Sequence, residues 1–260
     1  MRIATWNVNG VRAREERLLR WLGAHGPDVL CLQELKAVED QFPRDRVVEA
    51  GYHAVVAGQK GFNGVALLSR SEPRDVRVGL GDGEEEDEQA RLVGAEVDGV
   101  LVYSAYFPNG QTVGSDAYRY KLDWIRRLRA HLEARADAPK PVVLAGDFNV
   151  APRDSDVANP ERWAESVLCH GAARDALETL RQWGFSDCFA KHHPEGGVYS
   201  WWDYQRLAFP KNDGLRIDHV FATAPLFDRC TAAWIDRDER KGKKTDKPSD
   251  HAPVVAEFDL

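Results

Sequence analysis

Several apolar runs in this chain end in acids or amides. Asn7 and Asn9 close the run that begins at Arg2, Glu34 follows Val29 to Leu32, and Asp147 and Asn149 follow Val142 to Ala145. A further group arrives late: Arg216-Ile217-Asp218-His219 leads into one apolar run, and Ser249-Asp250-His251 into another. Side chains on an extended segment alternate, so Asp147 and Asn149 point to one side while Phe148 points to the other. Asp250 and His251 diverge for the same reason, and a partner for the histidine has to come from elsewhere. One acid or amide at a strand end is ordinarily a turn former or a helix cap. Many together, with no cysteine and few histidines, suit a hard cation held by oxygen, Mg²⁺ or Mn²⁺, rather than a thiolate-bound zinc. Such an ion polarises a phosphoryl oxygen, so metal-assisted hydrolysis of a phosphoester is the chemistry expected.

These residues need strands to carry them, because α/β proteins place their sites at strand ends. The pattern predicts strands over Arg2 to Val8, Val29 to Leu32, Val65 to Ser69, Arg91 to Val97, Val100 to Tyr106, Val142 to Ala145 and Ala252 to Phe258, besides the run after Asp218. Helices are expected over Val11 to His25, with Leu18, Leu19 and Leu22 on one face, and over Ser115 to Leu132, where Tyr118, Leu122, Ile125, Leu128 and Leu132 recur at helical spacing. Asn159 before Pro160 reads as an N-cap with proline at the first helical position, and Ala173, Leu177 and Leu180 mark a further helix. Apolar runs alternate with helical patterns without a low-complexity linker, which predicts an α/β sandwich in one compact unit. Each half has strands ending in acids or amides, with the long helix near 115 to 132 between them, so two halves of similar plan are expected without sequence identity between them.

Composition narrows the setting. The chain has 260 residues, 43% hydrophobic and 30% charged, enough for a large core. No apolar run reaches the ~20 residues of a membrane span, and the first residues read as a strand rather than a signal peptide, which predicts an intracellular, cytoplasmic protein with no membrane partner. Cys31, Cys169, Cys188 and Cys230 are far apart and form no C-x-x-C pair, so buried reduced thiols are expected. A net charge of −7 argues against a protein that coats nucleic acid, though not against an enzyme that acts on it. Arg237, Arg240, Lys241, Lys243, Lys244 and Lys247 gather positive charge just before Asp250, as either a solvated loop or a DNA contact. Glu84 to Glu88 reads as an acidic surface loop that DNA would avoid.

Seven stretches, in order, resemble the exonuclease III family of abasic-site endonucleases in the endonuclease/exonuclease/phosphatase superfamily. They are Thr5-Trp6-Asn7-Val8-Asn9-Gly10, Leu32-Gln33-Glu34-Leu35-Lys36, Tyr106-Phe107-Pro108-Asn109-Gly110, Gly146-Asp147-Phe148-Asn149-Val150, Tyr199-Ser200-Trp201-Trp202-Asp203-Tyr204, Leu215-Arg216-Ile217-Asp218 and Ser249-Asp250-His251-Ala252-Pro253. Each is modestly specific, and seven in register are very specific. The resemblance covers essentially the whole chain. It implies a four-layer α/β sandwich, two packed mixed β-sheets flanked by helices, as one domain over 1–260 with two pseudo-repeated halves.

The resemblance also implies roles. Glu34 is expected as the principal metal ligand, Asn7 and Asp250 close to the metal, and Asp147 and Asn149 as further candidates for it. Asp147 would activate the attacking water, Asn149 orient that water or the phosphate, and Tyr106 place a hydroxyl near the scissile phosphate. His251, oriented by Asp218, would stabilise charge on the phosphoryl oxygens. Phosphoryl transfer is carried by positioning and electrostatics, so no covalent nucleophile is required. Trp201, Leu215 and Ile217 match a small apolar pocket that takes a flipped-out baseless sugar, which enters where an intact nucleotide clashes. Of the two tryptophans, Trp202 reads as core. Asn109 and the lysines Lys241, Lys243 and Lys244 are the candidate DNA contacts. The expected activity is Mg²⁺-dependent incision 5′ to an abasic site (Mn²⁺ substituting), with 3′-phosphodiesterase, 3′-phosphatase and 3′-to-5′ exonuclease action, by a monomer on double-stranded DNA with abasic sites or blocked 3′ ends. A nonspecific nuclease or a small-molecule or lipid phosphoesterase of the same superfamily is the alternative enzyme. A non-catalytic DNA-binding module is the alternative from another class, against which the intact Glu34, Asp147, Asp218 and His251 weigh.

Overall fold

The computed structural model describes residues 1–81, 89–136, 138–242 and 246–260. The acidic run Glu84 to Glu88 and the lysines Lys243 and Lys244 therefore lie outside the described residues. The chain begins with β1 (Arg2–Asn7), α1 (Glu15–His25), β2 (Val29–Gln33), α2 (Arg44–Glu49), β3 (His53–Ala57), β4 (Val65–Ser69) and β5 (Arg74–Val78). It continues with β6 (Leu92–Val97), β7 (Val100–Tyr106), α3 (Asp116–Arg135), β8 (Val142–Asp147), α4 (Pro160–Trp163), α5 (Gly171–Trp183) and β9 (Phe185–Asp187). Last come α6 (Cys188–His192), α7 (Ala208–Lys211), β10 (Asp218–Thr223), α8 (Ala224–Phe227), β11 (Cys230–Ile235) and β12 (Val254–Phe258). Among the described residues no helix is long and apolar enough to cross a membrane.

The strands form two six-stranded sheets, ordered β11-β12-β1-β2-β4-β3 and β5-β6-β7-β8-β10-β9. One parallel pair sits in each, β1 with β2 and β7 with β8, and the other neighbours are antiparallel. Each parallel pair needs a crossover, which α1 and α3 supply. The alternation of side chains along the strands sorts the core into layers. Ile3, Val29, Cys31 and Val65 of the first sheet meet Val102, Val143, Ala145 and Val220 of the second. The opposite faces pack on helices: Ala4 and Trp6 join Leu18 and Leu22 of α1, and Leu144 and Phe148 join Ile125 and Leu128 of α3. Helix, sheet, sheet and helix make the four layers of an α/β sandwich.

This alternation places the site. Asn7 follows Ile3 at even spacing on the inner face of β1, and Asp147 follows Val143 and Ala145 on that of β8, so both polar groups end up where the two sheets meet. In register, Asp147 lies beside Tyr106 on one side and Asp218 on the other. Gly146 makes this close pairing possible, since a Cβ there would stand 1.8 Å from the Ala105 carbonyl oxygen.

Local expectations were met unevenly. Ser115 caps α3, its hydroxyl accepting from the Tyr118 amide at 3.1 Å. Val11 to His25 divides into a 3-10 turn over Val11–Arg14 and then α1, and Trp21 rather than Leu19 completes the buried face. The Asn159 side chain makes no capping bond, and α4 is a single turn. The four cysteines are free and buried.

Candidate active site

Asn7 joins the sheets. Its amide nitrogen donates to Glu34 Oε1 and to Asp147 Oδ2, both at 2.9 Å, while its oxygen accepts from the Asn9 amide at 3.0 Å. Glu34 Oε1 also accepts from the Tyr106 hydroxyl at 2.9 Å, and Oε2 pairs with Lys36 Nζ at 2.8 Å. Lys36 reaches on to Asn9 Oδ1 at 2.6 Å, and the Asn9 amide donates to Asp250 Oδ1 at 2.8 Å. The second oxygen of Asp250 accepts from the Trp201 indole at 3.1 Å.

Asn9, Glu34, Lys36 and Asn149 all have left-handed φ angles, between 47° and 51°. Such a backbone costs a non-glycine residue roughly 1–2 kcal/mol. Main-chain bonds on both sides hold the strained turn: Gly10 and Val11 donate to the carbonyls of Glu34 and Leu35, and Leu35 and Lys36 donate to those of Gly64 and Asn63. Asn149 is fixed by its amide on Asp147 Oδ1 at 2.9 Å, by Nδ2 on the Phe107 carbonyl at 3.1 Å, and by Asn109 Nδ2 on its own Oδ1 at 3.0 Å.

The partner of His251 comes from another strand. Nδ1 lies 2.9 Å from Asp218 Oδ2, and Nε2 lies 3.8 Å from Asp147 Oδ2. Asp218 is itself held by the Ser200 hydroxyl, which donates to Oδ2 at 2.6 Å and accepts from the Ile217 and Asp218 amides. Behind that strand Arg216 is buried between Asp156 (2.9 Å) and Asp187 (2.8 Å) and donates to His219 Nδ1 at 2.9 Å.

Protonation follows from these contacts. Burial alone would discourage charge on His251, but Asp218 and Asp147 outweigh it and raise its pKa to about 10. The imidazole therefore faces the cavity as a cation rather than with a free lone pair. Burial pushes Asp147 above the usual carboxylate range, against the pull of His251. Glu34 is held low despite burial, by Lys36 and the Asn7 amide. Tyr106 is driven well above its ordinary value by burial and by the neighbouring Glu34 and Asp147.

Glu34, Asp147 and His251 each offer one ligand atom within 4.8 Å of the others. With His251 protonated, the donors that fit a cation are the oxygens of Glu34 and Asp147, with those of Asn7 and Asp250 nearby. An all-oxygen set suits a hard divalent ion.

These groups open on a cavity of about 550 Å³. Its polar side is lined by Glu34, Tyr106, Asn109, Asp147, Asn149 and His251, and its apolar side by Val113, Trp163, Val167, Leu168, Trp201 and Ile217. Trp201 stands edge-on to Trp163, with ring centroids 6.0 Å apart. Leu215 is fully buried, pairs with Trp201 through the main chain and is not among the lining residues. Trp202 is fully buried, as core.

In the basic stretch before Asp250 the described side chains have partners of their own, and Lys243 and Lys244 lie outside the described residues. The Arg237 guanidinium lies 4.2 Å from the Phe209 ring centroid, Lys247 lies 4.5 Å from that of Tyr204, and buried Arg240 donates to the Trp202 carbonyl. Of the candidate lysines, Lys241 is described, exposed and paired with Asp238 at 2.6 Å.

Sequence reasoning gave no role to Ser200 or Lys36, which stand inside two of the quoted stretches, nor to Lys121. Lys121 carried a legible signal: a lysine three residues after Tyr118 and four before Ile125 shares their buried face. Its Nζ donates to three carbonyls under the cavity. Burial draws its pKa down to about 7, against the opposing charge of Asp147.

Residues 4–251 match the pattern of the Endonuclease/Exonuclease/phosphatase family. The chain is 35% identical to the Exodeoxyribonuclease III of Haemophilus influenzae, over 99% of this chain and 100% of the relative. Its structure superimposes on an AP endonuclease from Archaeoglobus fulgidus with a TM-score of 0.96 at 40% identity, each chain covered in full. The 3′-5′ exonuclease (NExo) from Neisseria meningitidis gives 0.94 at 39% identity, again over both whole chains. A family match across nearly every residue, with full-length relatives above one third identity and the acidic centre between two sheets, shows that this chain belongs to the endonuclease/exonuclease/phosphatase family of hydrolases.

Proposed function

We propose that this chain is a DNA-repair nuclease of the exodeoxyribonuclease III and AP endonuclease type. It hydrolyses the phosphodiester 5′ to an abasic site, with 3′-phosphodiesterase, 3′-phosphatase and 3′-to-5′ exonuclease activity. The observation that carries the reading is one cavity with an acidic wall at Glu34 and Asp147, a cationic imidazole at His251 and an apolar wall at Trp201 and Ile217. A phosphate with an extruded baseless sugar needs all three.

Glu34, Asp147 and Asp250 would hold Mg²⁺, with Asn7 and Asn149 close by. When bound, the ion acts as a Lewis acid on a phosphoryl oxygen. Asp147 accepts the proton of the attacking water. Asn149 orients the water or the phosphate. His251, kept charged and aimed by Asp218, meets the negative charge that develops on the phosphoryl oxygens. The Tyr106 hydroxyl, kept protonated by burial and its acidic neighbours, donates near the leaving oxygen. Trp201 and Ile217 select for the missing base by size. Asn109, and more weakly Lys241, are the DNA contacts of this reading.

A duplex carrying one tetrahydrofuran site tests it, incubated with Mg²⁺ or with a chelator. Metal-dependent incision at that site alone is expected. Equal cutting of intact DNA means a nonspecific nuclease, and hydrolysis of inositol phosphates or sphingomyelin instead means a phosphoesterase of another substrate class.

A further inference from the structure

Lys121 is a lysine with no exposed surface on α3, and the hydrolysis described above makes no use of it. Its Nζ lies 3.2 Å from the Asn109 carbonyl oxygen, 2.8 Å from that of Asn149 and 2.6 Å from that of Val167. When Nζ is protonated, its three hydrogens meet three main-chain acceptors. Among the described residues no carboxylate pairs with it. A buried ammonium without a paired acid is costly, and an unbranched apolar side chain would fill the same volume. What only the ammonium offers is three donors radiating from one point.

The three carbonyls belong to segments far apart in sequence, the turn after β7, the turn after β8 and the stretch that follows α4. Each presents a residue to the cavity: Asn109, Asn149 and Val167 all line it. Asn109 and Asn149 also bond to each other through their side chains at 3.0 Å. Gly110 lets the first turn lie on α3, since a Cβ there would stand 3.1 Å from Lys121 Cδ and from the Tyr118 ring.

We infer that Lys121 is a positioning residue, whose ammonium sets where the Asn149 side chain stands relative to the reacting phosphate. The assignment rests on the nuclease reading above. It differs from a packing role because it acts through Asn149 in particular, and removing the donors should release that residue while α3 remains in place.

A double-mutant cycle tests this with Lys121→Met, Asn149→Ala and the pair, on purified full-length chains. Turnover is measured on the tetrahydrofuran duplex and, in parallel, on bis(p-nitrophenyl) phosphate, and thermal unfolding fixes the folded fraction. Misplacement of about 1 Å can cost 10²-fold, so Lys121→Met should lower kcat about 30-fold with little change in KM, and by less than about threefold once Asn149 is alanine. Equal losses in the two backgrounds overturn the inference, as does a fall in melting temperature with unchanged kcat per folded molecule. If Lys121→Met does not fold, Lys121→Gln replaces it in the cycle, and the same two outcomes decide. If the duplex is untouched by the wild type while the small diester is cleaved, the substrate reading fails and the cycle on the diester still decides the role of Lys121.

Discussion

His219 should make the protein acid-labile by an amount that can be worked out from its neighbours. Its ring is fully buried, Nδ1 accepts from Arg216, and Nε2 donates to the Val150 carbonyl at 3.0 Å. Both nitrogens are thus committed in the neutral form, and a second proton would have to displace Arg216. Burial, with Arg216 beside it, lowers the pKa from 6.5 to about 4. The unfolded chain binds a proton near 6.5 and the folded one does not until about 4. Stability is therefore complete above pH 6.5, declines as the pH falls toward 4, and loses nothing more from this group below that. At about 1.4 kcal/mol for each tenfold, the full loss is ~3.5 kcal/mol. His219→Gln keeps an acceptor and a donor without the titration. Urea unfolding of both proteins at about pH 7.5 and about pH 4.5 should show the wild type losing ~2.5 kcal/mol more than the variant. Arg216 holds Asp156 and Asp187 low in spite of burial, so the carboxylates of this cluster stay ionised over the range in both proteins. A difference that does not change with pH would refute the neutral, doubly bonded imidazole and the packing argued for Arg216.

The site makes further predictions. Asp147→Asn should lower incision of the tetrahydrofuran duplex by ~10³-fold or more while leaving affinity for the uncut duplex largely unchanged, and full activity in that variant removes Asp147 as the base. Glu34→Ala should shift the Mg²⁺ dependence of turnover upward by at least ~10-fold, and an unaltered titration means that Glu34 does not touch the ion. Asp218→Asn takes away the carboxylate that keeps His251 charged. The variant's rate should then fall above about pH 6.5, where the wild type holds its activity, and an alkaline limb identical to the wild type's contradicts the role given to this pair.

The strands predicted from sequence are β1, β2, β4, β6, β7, β8, β10 and β12, the inner strands of the two sheets. Those not predicted, β3, β5, β9 and β11, are the four edges. An inner strand packs on both faces and shows a continuous apolar run, as in Val65–Ser69. An edge such as Arg74–Val78 is mostly exposed, carries three charged residues in five and has no such run. Legibility of the site divides in a similar way. Asn7, Asp147 and Asp218 are inward positions of inner strands, so alternation alone aims them at one place. Ser200 and Lys121 act through groups on distant segments, as Lys36 does in part through Asn9, and no local pattern states what a hydroxyl or an ammonium will meet. The basic stretch shows the same limit: counting charge does not show that Arg237 and Lys247 lie against Phe209 and Tyr204.

The sheets interleave along the chain. The first is built from β1 to β4 and then, after the whole of the second, from β11 and β12. Asp250 and His251 precede β12, so they are synthesised after every other residue of the centre. While the chain is being made, the second sheet can be complete and Glu34 already present, yet the imidazole and the last carboxylate are missing. The centre is therefore complete only when β12, the last strand, closes beside β1, the first.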